Sequence, residues 1–178
     1  MYMESEGNPE TDPLILWSNG GPGASSLFGM FTEWGPLELN NLSLNTTEYQ
    51  KTGIPSLLYN DEAWTKIGSV VLFDWPPPVG FSYCNGNITG DGYSCGDWDD
   101  TRMAQVSYSA LEGFLQRYPN ANKNGLFLTG ESYAGVYIPK LGEEIVKHDK
   151  IDEWNFKGLA IGDPCLGTEG KFLSVLIA

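Results

Sequence analysis

A mostly parallel β-sheet covered by helices on both faces is the architecture this sequence predicts, and three observations predict it. Short, continuously apolar runs recur along the chain, each run closes in turn residues, and longer amphipathic stretches separate them. Strands that alternate with helices in this way build parallel βαβ units, which is the α/β class.

The first run, "PLILWSN" (13–19), reads as a buried strand; "SVVLFDW" (69–75), "GLFLTG" (125–130) and "FKGLAIGD" (156–163) read in the same way. Between them the polar stretch "LNNLSLNTTEYQKTG", within 36–68, is open to two readings, a short hairpin or a surface loop. Asp97 to Tyr118 is expected to be a helix, with Asp99 or Asp100 as its N-cap and Pro119-Asn120 as its stop. A second helix is expected from Ser132 to His148.

Composition limits the function. With 178 residues, 41% apolar and 19% charged, the chain has the make-up of one globular domain, 1–178. A formal net charge of −13, from 23 acidic against 10 basic residues, argues against nucleic acid and anionic membranes as partners. No apolar run approaches the roughly 18 residues that span a bilayer, and "MYMESEG" lacks the basic start and apolar middle of a signal peptide. Sequons at Asn41-Leu42-Ser43, Asn45-Thr46-Thr47 and Asn87-Ile88-Thr89 lean towards a secreted or lumenal glycoprotein whose leader is absent from this chain. Three cysteines without zinc-site spacing and a single histidine call for neither a metal nor a cofactor. Cys84 and Cys95 bracket a Gly/Asn/Asp-rich loop and read equally as a disulfide or as two free thiols, while Cys165 has no partner left.

Chemistry concentrates in two stretches. "TGESYAGVYIP" (129–139) places Ser132 just after a strand, with Gly130 two residues before it and Ala134 two after. A nucleophile on a tight strand-to-helix turn needs small residues at those positions, although the usual pattern ends in Gly and a plain turn shares the same composition. "WSNGGPGASSLFGMFTEWGP" (17–36) offers Gly20, Gly21 and Gly23, whose N–H groups can face a ligand. A phosphate loop would need a Lys that is missing here, which leaves a mere turn or an oxyanion hole in which the Gly21 and Tyr133 amides are the donors.

Together, "WSNGGPGASS" and "GESYAGVYIP" resemble the serine carboxypeptidases of the α/β-hydrolase fold. "EWGP" (33–36), "FDWPPPVGFSY" (73–83), "DDTRMA" (99–104), "RYPN" (117–120) and "LAIGD" (159–163) follow in that family's order and spacing. The resemblance implies that Ser132 is the acyl nucleophile and that Gly21 and Tyr133 form the oxyanion hole. It also implies that Asn19, Glu33 and Glu131, beside Gly20 and supported by Trp17, hold the free carboxylate of a peptide or protein C-terminus. Two neighbouring carboxyls do not both ionise easily, so one can keep a proton and donate it to a substrate carboxylate, favouring activity at low pH; either acid alone would read as a solvated helix end. Phe28 and Thr32 match positions lining the leaving-residue pocket, although helix-face packing explains a Phe at 28 nearly as well. Ala24 stands where the family commonly has Cys, and Pro78 where it has Gly.

The triad order of this fold is Ser, Asp, His. Only His148 follows Ser132, about 24 Å along the same helix at 1.5 Å per residue, which is out of reach. The resemblance therefore implies an internal fragment, truncated after the nucleophile half and inactive alone, with an open sheet edge at 156–163 that is prone to association. The complete protein is expected to be a secreted, vacuolar or lysosomal serine-type carboxypeptidase. Use of the same scaffold for acyl transfer, and a non-catalytic relative, are the alternatives.

Overall fold

The computed structural model describes residues 1–84 and 95–165. In chain order the strands are β1 (Tyr2–Met3), β2 (Leu14–Ser18), β3 (Leu37–Glu38), β4 (Leu58–Tyr59), β5 (Ser69–Leu72), β6 (Leu126–Glu131) and β7 (Phe156–Gly162). The α-helices are α1 (Leu27–Gly29), α2 (Thr47–Thr52), α3 (Asp100–Arg117) and α4 (Ala134–Lys147), and α1 runs directly into a π-helical segment at Met30–Trp34.

Five strands form the main sheet in the order β1-β5-β2-β6-β7; all pairs are parallel except β1–β5. Alternation along β2 shows why both faces are covered. Leu14 and Leu16 point into a cluster with Met103, Leu111, Ile138 and Leu141 of α3 and α4. Ile15 and Trp17 point the opposite way, against Met30, Trp34 and Trp64. Residues of period 2 thus feed two cores from one strand.

Asp99 is the N-cap of α3, its Oδ1 accepting from the Arg102 amide at 2.7 Å. The polar stretch resolves as a hairpin with a long excursion: β3 pairs antiparallel with β4, and a 3-10 turn at Asn41–Leu44 and α2 lie between them. Asn41 and Asn45 are exposed there, whereas Asn87 lies outside the described residues. Cys84 and Cys95 are joined in a disulfide, and among the described residues Cys165 is free. Both helices start later than expected, because 97–99 and 132–133 make the extended cap and the tight turn that precede them. Among the described residues β7 ends the sheet, and none of its residues is buried, so 156–163 is not the buried strand expected: no strand covers its outer edge. Among the same residues no helix is long and apolar enough to cross a membrane, and no group of three or more His, Cys, Asp or Glu side chains could hold a metal ion.

Candidate active site

The adjacent parallel strands β2 and β6 deliver the candidate residues at their C-terminal ends, where open α/β sheets place their ligands. β2 ends at Ser18 and is followed by Asn19, Gly20 and Gly21; β6 ends at Glu131 and is followed by Ser132.

Ser132 is exposed and sits at φ 56°, the left-handed region that non-glycine residues seldom occupy. Its N–H donates to the Gly162 carbonyl at 3.0 Å, and its carbonyl accepts from the Gly135 and Cys165 amides at 2.9 and 2.8 Å. The neighbours are small for steric reasons. A Cβ at Gly130 would lie 2.5 Å from the Ser18 carbonyl oxygen and 2.6 Å from Ala134 Cβ, and one at Gly135 would lie 2.6 Å from the Cys165 oxygen. The fully buried methyl of Ala134 is accommodated, so the departure from the Gly-ended pattern leaves the turn intact.

The glycine loop lies directly on this turn. A Cβ at Gly20 would come within 2.4 Å of the Tyr133 amide nitrogen and 3.0 Å of Ser132 Cβ. Gly21 follows at φ 113°, which suits glycine. Among the described residues neither the Gly21 nor the Tyr133 N–H is taken up in a hydrogen bond, which leaves two donors beside the Ser132 side chain.

On one flank Asn19 is held in a single orientation. Its Oδ1 accepts from Trp17 Nε1 at 2.8 Å and from the Gly29 amide at 3.1 Å, so its Nδ2 must face outward, and it donates to Glu131 Oε1 at 2.7 Å. Glu33 stands near by, its carboxyl raised above the usual range by partial burial and then by the negative charge of Glu131. The Glu33 and Gly35 carbonyls accept from Asn60 Nδ2, which fixes the turn carrying the acid. Thr32 is exposed, its hydroxyl bonded to the Phe28 carbonyl, and Phe28 itself is 60% exposed, so the side chain is not a packing residue. The structure thus brings Trp17, Asn19, Gly20, Gly21, Glu33, Glu131, Ser132 and Tyr133 to one rim.

His148 is elsewhere. It is the C-cap of α4, stacked on Tyr108 with ring centroids 4.3 Å apart and its Nε2 3.8 Å from Glu144.

A further residue joins the site. Asp74, just past β5, accepts from Ser25 Oγ at 2.5 Å and from the Phe81 amide at 3.0 Å, tying the glycine loop to the Pro-rich loop. Its place beyond the C-terminal end of a parallel strand was the available signal. Pro78, like Ala24, leaves these contacts in place.

The serine carboxypeptidase family model matches residues 1–176. This chain belongs to the serine carboxypeptidase family. The lysosomal protective protein of Mus musculus is 38% identical over 91% of this chain and 30% of its own length, and a serine carboxypeptidase of Caenorhabditis elegans is 40% identical over 95% and 32%. The crystal structure of a prohormone-processing carboxypeptidase from Saccharomyces cerevisiae superposes with a TM-score of 0.71 at 31% identity, over 86% of this chain and 31% of that one. The fold is accordingly part of an α/β-hydrolase. Among the curated serine carboxypeptidase relatives, the chain spans between 25% and 35% of their length.

Proposed function

We propose that residues 1–178 are the nucleophile-bearing part of one serine carboxypeptidase domain, and that the whole protein releases C-terminal residues from peptides through an acyl-enzyme at Ser132. The observation that carries this reading is the strained Ser132 beside two unengaged amides, with a polar cluster on one flank.

In this reading Ser132 Oγ attacks the last peptide carbonyl and passes its proton to a base outside this segment. The developing oxyanion lies between the Gly21 and Tyr133 N–H groups, fixed before reaction begins. Asn19 Nδ2 and the protonated carboxyl of the Glu33/Glu131 pair hold the terminal carboxylate, so only a free C-terminus is placed over Ser132. The C–N bond then breaks, the terminal residue leaves with a proton from the base, and water hydrolyses the ester. Alone, the segment has an acyl acceptor without a base, since His148 lies at the far end of α4.

The native protein, assayed with a blocked dipeptide and its C-terminal amide, is expected to release the terminal residue from the acid only. Ser132→Ala should lower kcat by roughly 10⁴–10⁶. Equal turnover of the amide, or activity that survives Ser132→Ala, rejects the reading.

A further inference from the structure

The glycine loop that carries the Gly21 amide leaves the end of β2, and in the sheet β2 lies between β5 and β6. A polar side chain reaches that loop from each side. Asp74 comes from the end of β5, and Tyr137 from α4, the helix that follows β6. Glycines give the loop no side chains of its own with which to hold its backbone, so its position depends on such outside contacts.

Asp74 grips the far end of the loop. Its Oδ1 accepts from Ser25 Oγ at 2.5 Å, and Ser25 Oγ in turn accepts from the Leu27 amide at 3.2 Å, where α1 begins. Its Oδ2 accepts from the Phe81 amide at 3.0 Å, and a Cβ at Gly80 would fall 2.1 Å from that oxygen, so the carboxylate is itself wedged in place. Tyr137 reaches the middle of the loop. It is buried, its ring meets the Tyr133 ring edge-on with centroids 5.1 Å apart, and the Gly23 amide faces its hydroxyl oxygen. Burial pushes the phenol up to about 12, so the group stays an uncharged hydroxyl in neutral and acidic solution.

Gly21 cannot move independently of these contacts. A Cβ on it would lie 2.7 Å from both the Gly23 and the Ala24 nitrogens, and the Ala24 amide closes the loop on the Gly20 carbonyl at 3.1 Å. Whatever shifts Gly23 or Ser25 therefore shifts the Gly21 N–H.

We propose that Tyr137 and Asp74 are positioning residues for the transition state, which from the two sides of β2 hold the Gly21 amide at hydrogen-bonding distance from the developing oxyanion. The inference rests on the proposed acyl-enzyme chemistry, in which neither side chain touches the substrate. A donor displaced by a fraction of an ångström loses rate rather than substrate affinity.

The native protein is assayed with a blocked dipeptide, and its inhibition is measured with a blocked amino aldehyde. Ser132 Oγ adds to the aldehyde carbon and gives its proton to the base outside this segment, and the former carbonyl oxygen then carries its negative charge between the two amides. Tyr137→Phe should lower kcat roughly tenfold and weaken the aldehyde by a similar factor, with KM within about twofold because the Asn19 flank is untouched. Asp74→Asn, whose amide cannot accept from both Ser25 and Phe81, should give the same split. Should Tyr137→Phe fail to fold, Asp74→Asn and Ser25→Ala, which removes the loop's half of that contact, carry the test. Unchanged kcat in a folded variant, or a KM that rises as far as kcat falls, would overturn the proposal. If the unaltered protein cleaves the dipeptide in a Ser132-dependent way while the variants are unimpaired, this inference alone fails. If it cleaves no dipeptide, or does so without Ser132, the acyl-enzyme reading fails and this inference fails with it.

Discussion

Around Ser132 the geometry is held by backbone and by missing side-chain atoms, whereas around Asn19 it is held by hydrogen bonds between side chains. The turn has no ionisable group in its construction: Gly130, Ala134 and Gly135 leave room, and the Gly162 and Cys165 segments clamp it. The flank depends on the amide of Asn19 and on two carboxyls, one of them raised by partial burial and a neighbouring charge. One part should therefore be indifferent to pH and intolerant of added atoms. The other should be governed by protons.

Changes at four positions break or sharpen that contrast, taken from the largest expected effect on stability. Gly130→Ala drives a methyl to 2.5 Å from the Ser18 carbonyl, and thermal unfolding should show a loss of roughly 3 kcal/mol; near-native stability would mean the turn is less crowded than described. Asn19→Ala leaves the Trp17 indole and the Gly29 amide without their acceptor, costing roughly 2 kcal/mol and removing C-terminal peptide binding, read by calorimetry. Ser132→Gly relieves the positive φ and should raise stability by about 1 kcal/mol while abolishing turnover, whereas Ser132→Ala abolishes turnover with stability unchanged.

Glu33→Gln is the mildest in stability, within about 0.5 kcal/mol, but the most telling in pH. A raised carboxyl keeps its proton, and with it a donor for the substrate carboxylate, below its elevated pKa; as pH rises through that value the donor becomes a repelling charge. KM of the native protein should therefore climb with pH while kcat follows the base elsewhere. The amide of Glu33→Gln always donates, so its KM should lie flat across the same range. An unchanged KM profile would move the pH dependence to Glu131 or away from this flank.

What could be read before folding is what depends on near neighbours. The strand positions, the α3 cap and the small residues around Ser132 follow from period and turn chemistry within a dozen residues, whereas the burial expected at 156–163 does not hold, because β7 is the outer strand among the described residues. The excursion between β3 and β4 did not, because the turn and cap residues between Leu37 and Tyr59, Asn40, Thr46 and Gly53 among them, fit a surface loop as well as a hairpin. Spacing also left Cys84 and Cys95 open between thiols and disulfide, since it says nothing of how two side chains face each other. Asp74 was missed for the same reason, as its partners at Ser25 and Phe81 converge only when the loops at the end of β2 and β5 are assembled. Glu33 and Glu131 were paired by resemblance, and their proximity is a long-range fact that no local pattern contains.

The clamp on Ser132 also sets a clock. Both hydrogen-bonding groups of its backbone are answered by residues at 162 and 165, made after it. At roughly 5–20 residues per second, the ribosome needs several seconds to reach that point after Ser132 is joined. During that interval the serine has no strained turn to hold it. In a nascent chain of this kind the strained turn is therefore clamped only once the strand beside it has been delivered, and in the proposed reading the serine still waits for its base.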